Sequence, residues 1–211
     1  MNRDDRMKRA DIETLARPPG LAGVCACRRQ VLGGGIAAAL LSLSGRALAE
    51  EADPNREARP KAGDQFVFFE GDRQGQVITP ADLKLGVTQI QAWPYDPENK
   101  VARDGSRLNQ MLLIRLDPAS LSDDEKPHAA DGIVAYSSIC THAGCGVTAW
   151  MPSEQLLLCP CHGSEYDPKD LGKAVFGPAP RRLAALPLKI SDGVLAAAGG
   201  FIGHVGIAPM T

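Results

Sequence analysis

Aromatic side chains are scarce in this chain: five Phe, three Tyr and two Trp among 211 residues. Together with 22 Gly and 16 Pro, that scarcity argues against long helices and suits short strands joined by turns. An excess of basic charge is also missing: residues 50–211 hold 15 Lys and Arg against 21 Asp and Glu, a formal charge of −6, so nucleic acid is not an expected partner. The uncharged run in the first fifty residues, Gln30 to Gly45, has only 16 residues, four of them glycine. About 20 apolar residues are needed to cross a ~30 Å hydrocarbon core. No internal repeat is present apart from two short Cys/His segments. The apolar fraction of 44% and charged fraction of 23% are those of a globular protein, and the length allows one domain with something short at an end.

The first 49 residues read as a three-part export signal. A basic, polar lead ends in Arg28 and Arg29, "QVLGGGIAAALLSLSG" follows, and a small-x-small site stands at Ala47-Leu48-Ala49. The arginine pair before a glycine-diluted apolar core resembles a twin-arginine signal, which carries folded, cofactor-loaded proteins across the bacterial inner membrane. Cys27, Val31 and Gly33 stand where that motif usually has Ser/Thr, Phe and Lys. Cleavage near Ala49 would leave a soluble periplasmic protein. Retention would hold the chain at the periplasmic face of the inner membrane through residues 28–48.

Residues 50–64, "EEADPNREARPKAGD", are charged, contain proline and have no apolar periodicity, and so read as a linker. From Gln65 to about residue 205 short runs rich in Val, Ile, Leu, Phe and Tyr alternate with turn signals. They include "QFVFFEGD", "GQVITPADL", "GVTQIQAWP", "LNQMLLIRLDP", "DGIVAYSSI", "EQLLLCP" and "LPLKISDGVLAAAG". The spacing predicts an all-β sandwich or open barrel, with a tight hairpin at the Asp-Gly of "ISDGV". Residues 118–132 read as a polar surface loop with one helical turn, and His128 within it and His204 near the C-terminus as ordinary surface histidines.

Two segments, "SSICTHAGCG" (137–146) and "CPCHGSEYD" (159–167), hold four of the six cysteines and two of the four histidines. Each follows an apolar strand, so neighbouring strand ends can bring the pattern Cys140-x-His142 beside Cys159-x-x-His162. Thiolate and imidazole suit zinc or iron–sulfur centres alike, and the spacing leaves both open.

The full string, "CTHAGCG…CPCHGSEYD", resembles the Rieske iron–sulfur family, in which one iron of a 2Fe-2S cluster is held by two Cys and the other by two His. The resemblance implies a Rieske-type β-sandwich or open barrel with a small cluster-binding subdomain, about residues 136–182, inserted between strands. It implies that Cys140 and Cys159 ligate the buried iron, that His142 and His162 ligate the outer one, and that Cys145 and Cys161 form a disulfide, which an exported location permits. Ser164 and Tyr166 correspond to the donors that hydrogen-bond a bridging sulfide and a cysteine ligand, here Cys140, in high-potential members. Such donors favour the reduced cluster and raise its potential. "GPAP", with Gly177, Pro178 and Pro180, resembles the proline loop that covers the cluster. Ala143 stands where quinol-oxidising members commonly have Leu, and Glu165 where many relatives have His.

The resemblance implies an exported one-electron carrier passing electrons from an oxidase subunit or quinol to a c-type cytochrome. The donor would be the large subunit of a molybdenum oxidase or, in a membrane-anchored Rieske subunit of a quinol–cytochrome c oxidoreductase, quinol at cytochrome b. A structural zinc site needs neither the second cysteine pair nor the Ser/Tyr donors. A Rieske oxygenase needs a further iron site and a substrate domain, for which only His128 and His204 and too little chain remain.

Overall fold

The structure, a computed structural model, describes residues 53–207. The stretch read as an export signal, with Arg28 and Arg29, lies outside the described residues. One helical turn, α1 (Pro54–Glu57), precedes β1 (Gln65–Phe68), β2 (Ile90–Asp96), β3 (Val101–Ala102), β4 (Met111–Arg115) and β5 (Ile133–Ser137). These five strands form one antiparallel sheet in the order β1-β2-β4-β5, with β3 on β2. Next come β6 (Ala149–Met151), β7 (Leu156–Cys159), β8 (Ser164–Asp167) and β9 (Lys173–Phe176), a separate four-stranded antiparallel meander. The hairpin of β10 (Leu188–Ser191) and β11 (Val194–Ala197) follows.

The hairpin closes the first sheet. On one side Leu186 N–H donates to Ala135 O at 2.9 Å and Ser137 N–H to Ala184 O at 2.8 Å; on the other, Ala197 N–H donates to Asp64 O at 2.8 Å and Gly63 N–H to Ala197 O at 2.9 Å. The result is an open barrel with the meander inserted between β5 and β10, the all-β architecture that the sequence predicts. The hairpin turn is the expected one: Ser191 pairs with Val194, and Asp192 and Gly193 both take positive φ, 53° and 76°.

β4 and β5 explain how one short chain builds two cores. Met111 and Leu113 of β4 and Ile133 and Ala135 of β5 pack inside the barrel with Phe66, Leu186 and Leu195. The alternate residues, Leu112, Ile114, Val134 and Tyr136, pack with Leu157 and Tyr166 of the meander. Successive side chains point to opposite faces, so a strand covered on both sides reads as the continuous apolar runs "MLLI" and "IVAY" rather than as alternation. Each fully buried Leu, Ile or Val contributes about 1.5–3 kcal/mol, and these runs fix the meander to the barrel.

Two stretches differ from the sequence reading. "GQVITPADL" makes only a single bridge, Val67 to Val77, before a 3-10 turn at Pro80–Asp82. Asp82 there accepts from the Thr79 N–H (2.8 Å) and the Thr79 hydroxyl (2.7 Å), closing the turn. The stretch read as a linker is folded from Asp53 onward. Asp64 is fully buried and receives both Nε (2.6 Å) and Nη2 (2.9 Å) of Arg103, itself only 2% exposed. Arg103 also donates to Asn55 O, and Asn109 donates to Ala58 O. The partners lie about 40–50 positions away in sequence, beyond the reach of a local pattern.

Candidate metal centre

The two Cys/His segments follow the ends of β5 and β7, strands of different sheets. β5 runs into the first loop, where Cys140 N–H donates to Cys145 O at 2.8 Å and Gly144 N–H to Cys140 O at 3.0 Å, forming a tight turn. The second loop is the β7–β8 connection: Cys159 pairs with Ser164 across the hairpin, and Gly163 N–H returns to Cys159 O at 3.1 Å. A disulfide between Cys145 and Cys161 joins the two loops.

That bond leaves Cys140 and Cys159 as free thiols, each 1% exposed. The rings of His142 and His162 stand edge to face with centroids 4.8 Å apart, His142 half-buried and His162 exposed. Two buried sulfurs and two outward imidazoles are thus gathered from both loops. The sulfurs of Cys145, Cys159 and Cys161 also lie within 4.8 Å of one another, but two of them are consumed in the disulfide, so that trio is not a ligand set.

The electrostatics favour charge on Cys140. Burial pushes its thiol up, but hydrogen bonds from the Tyr166 hydroxyl and the His142 and Ala143 backbone outweigh it and hold the group below its ordinary value. Burial raises the Cys159 thiol, and the nearby Cys140 sulfur adds to the effect. The Tyr166 hydroxyl lies 3.1 Å from Cys140 Sγ and accepts from Thr141 N–H at 3.2 Å. Burial first, then Cys140, pushes the phenol up to about 12, which keeps it a proton donor.

Buried polar atoms without partners are costly and demand an explanation. Two of the three such side-chain atoms among the described residues belong to these loops: Ser164 Oγ and His142 Nδ1; the third, Gln89 Oε1, lies on another segment. A 2Fe-2S cluster would account for both: His142 would hold an iron through its ring nitrogen, and the Ser164 hydroxyl would donate to a cluster sulfur. The residues present therefore fit that cofactor.

The proline loop lies directly on the second loop. At Gly177, with φ of 82°, a Cβ would come within 2.6 Å of Gly163 O and 2.7 Å of Ser164 Cα, so only glycine allows this approach. Pro178 and Pro180 are exposed, and Ala179 between them packs on the cluster of buried residues that includes Cys140 and Cys159. Thr141 Oγ1 donates to Arg181 O at 2.8 Å, tying the first loop to the end of the same cover. Glu165 is half-buried, and Ala143 is exposed. His128 is half-buried on its loop, and exposed His204 has Nε2 2.9 Å from Ile207 O.

Thr141 and Arg107, which donates to Gly144 O at 2.7 Å, support the first loop without being legible in the sequence. So does Glu125. It sits in the loop expected to be solvated, yet it is 1% exposed, with Oε2 2.6 Å from the Tyr136 hydroxyl and 2.9 Å from the Leu171 N–H. The available sequence signal is that "EKPHAADGIVAY" sets an acid eleven positions before a strand tyrosine, too weak to single it out.

Comparison with known proteins gives concordant matches. A family profile described as Rieske 2Fe-2S domain matches residues 109–187. The cytochrome bc1 complex Rieske iron-sulfur subunit of Streptomyces lividans is 39% identical over 139 residues, covering 62% of this chain and 79% of that protein. Subunits of the same description from Streptomyces coelicolor and Corynebacterium glutamicum are 34% and 42% identical. The matches cover 62% and 54% of this chain but only 38% and 31% of those longer proteins. Among solved structures, a cyanobacterial plasma membrane Rieske protein from Synechocystis PCC 6803 is 26% identical, with a TM-score of 0.37 over 56% of this chain and 93% of that one. At that score the likeness carries no weight, and the fold rests on the strand pairings above. With the S. lividans subunit matched over most of its length, this chain belongs to the Rieske iron–sulfur family, and the cofactor that family membership implies is one 2Fe-2S cluster.

Proposed function

We propose that this chain is the Rieske subunit of a quinol–cytochrome c oxidoreductase of the cytochrome bc1 type, exported and working on the periplasmic side of the inner membrane. Cys140 and Cys159 would hold the inner iron and His142 and His162 the outer one. The cluster so held supplies one-electron transfer. The chain's own residues would set its terms: the Tyr166 hydroxyl would donate toward Cys140 Sγ and the Ser164 hydroxyl toward a cluster sulfur, and both would stabilise the charge that arrives with an electron. The Tyr166 hydroxyl 3.1 Å from Cys140 Sγ, beside the unpartnered Ser164 hydroxyl, is the observation that carries the reading, because a high potential suits a centre that accepts electrons from quinol and passes them to a c-type cytochrome. His162, exposed on its loop, would receive a proton at its outer ring nitrogen from quinol bound against it; half-buried His142 is the alternative acceptor. The disulfide and the Gly177 approach hold the loops still and keep water from the inner sulfurs. The names of the sequence relatives support this assembly.

A second reading, a soluble periplasmic carrier serving a molybdenum oxidase, is favoured by Ala143, whose small exposed side chain shields the site less than leucine would. Among the described residues no helix is long and apolar enough to cross a membrane. The native protein should be isolated from membranes together with a cytochrome b, with two irons and two sulfides per chain and the anisotropic low-g resonance of a reduced Rieske centre. Recovery from the soluble periplasm beginning at Glu50 would reject the bc1 assembly in favour of the carrier. Less than two irons or no sulfide would reject both.

A further inference from the structure

A hollow of about 310 Å3 opens beside the first loop, walled by Ala143 and Gly144, and the electron-transfer reading makes no use of it. Its apolar lining comes from Leu108, Ile139, Val205 and Ile207, and three cationic or titratable side chains, Arg59, Arg107 and His204, stand at its edge. No carboxylate lines it.

The two guanidiniums are the unusual feature. Arg59 Nη1 donates to Leu108 O at 3.0 Å and to Asn109 Oδ1 at 3.4 Å, and Arg107 Nη2 donates to Gly144 O at 2.7 Å, all neutral acceptors. Neither side chain makes an ion pair among the described residues. A guanidinium has five N–H donors in a planar fork that matches a carboxylate or phosphate, so each keeps donors to offer. A domain whose exported part has an acidic surplus of six holds here two basic groups with no acid, set against an apolar floor. Ala143 keeps the hollow open; the three further carbons of the leucine common at this position would intrude into it.

We propose that this hollow binds an anionic amphiphile, its carboxylate or phosphate held by Arg59 and Arg107 and its short apolar chain lying on Leu108, Ile139, Val205 and Ile207. At about 30 Å3 per water-sized group, the volume takes roughly ten non-hydrogen atoms, the size of octanoate. Two sources share this chemistry: a free medium-chain carboxylate, or an anionic phospholipid head with the start of its acyl chain.

The test titrates cluster-loaded protein with octanoate and with neutral octanamide by calorimetry, and measures co-flotation with phosphatidylglycerol and phosphatidylcholine vesicles. Octanoate is expected to bind at least about tenfold more tightly than octanamide, the worth of a charge-assisted pair. Ala143→Leu, by filling the hollow, and Arg59→Gln, by removing a charge, should each weaken binding by a similar factor. Flotation with phosphatidylglycerol alone, abolished by Ala143→Leu, identifies a lipid source; octanoate binding without flotation identifies a free carboxylate. Absence of both, or binding indifferent to both substitutions, overturns the proposal. The resonance of the reduced cluster, recorded on every variant, separates this outcome from failure of the electron-transfer reading.

Discussion

Replacing Glu125 by glutamine should make the protein's stability less dependent on pH, by an amount that its surroundings define. The Tyr136 hydroxyl lies 2.6 Å from Glu125 Oε2 and 2.8 Å from Pro168 O, and it has one hydrogen to give. With a charged carboxylate that hydrogen goes to Oε2, and Pro168 O loses it. With a protonated carboxyl, Glu125 donates to Tyr136, Tyr136 donates to Pro168, and every group is satisfied. Burial pushes the carboxyl up from 4.5 to about 7, against the opposing hydrogen bonds from Tyr136 and the Leu171 N–H; Asp170 adds to the rise and Arg182 opposes it.

A folded-state value above the unfolded one means that the folded protein holds the proton more tightly. The stabilisation is fully present below pH ~4.5 and is lost as pH rises through about 7, with a ceiling of about 3 kcal/mol at 1.36 kcal/mol per pKa unit. The amide keeps the shape and an N–H donor without a charge to lose. Thermal unfolding midpoints of cluster-loaded wild type and Glu125→Gln should nearly coincide at pH 4.5 and separate towards pH 8. The variant should then be higher by at most roughly 6–12 °C, at about 2–4 °C per kcal/mol for a domain of this size. The groups at Asp82 and Asp96, both held below the usual carboxylate range, titrate outside this window and cancel between the two proteins. A gap that does not change between pH 4.5 and 8 would refute the proton assignment.

Tyr166→Phe and Ser164→Ala should each lower the cluster's midpoint potential by roughly 20–60 mV, the equivalent of one hydrogen bond worth ~0.5–1.5 kcal/mol in a one-electron couple; an unchanged redox titration removes that residue from the donor set. Gly177→Ala should loosen the cover over the second loop, because its Cβ would meet Gly163 O at 2.6 Å in a left-handed backbone. A cost of at least about 1–2 kcal/mol would appear as faster loss of the cluster's visible absorption on warming, and a variant as durable as wild type contradicts the close packing. Arg103→Met would leave the fully buried Asp64 carboxylate without its cation, whereas Asp96 keeps Lys61 Nζ at 3.2 Å. Breaking a buried pair from one side costs about 3–5 kcal/mol, so a denaturation midpoint within 1 kcal/mol of wild type would mean that residues 53–64 do not depend on this anchor.

The parts legible in the amino-acid string are those whose physics is local. A thiolate and an imidazole two or three positions apart must share a loop, and an Asp-Gly between apolar runs must turn. Hence the two Cys/His loops, the 191–194 hairpin and the all-β class can be read directly, whereas the Cys145–Cys161 pairing is what the resemblance to the Rieske family implies. Ser164 and Tyr166, one residue apart on either side of Glu165, share a face of β8 because of the strand's period of two.

Tertiary structure alone decided the rest. The runs of β4 and β5 say only that both faces are covered, not that one faces a barrel core and the other the meander; that depends on which segments return against them. Composition marks residues 50–64 as a linker and residues 118–132 as a solvated loop, because charged side chains are normally exposed. Asp64 and Glu125 are buried all the same, since Arg103, 39 positions along the chain, and Tyr136, across a strand, supply the hydrogen bonds that make their burial tolerable. The hollow beside Ala143 likewise exists only because the chain near residue 207 returns to the loop at 144. Sequence determines what a residue can do chemically, but the long-range contacts of the folded chain determine whether water is excluded around it, and that exclusion sets the strength of its charges and hydrogen bonds.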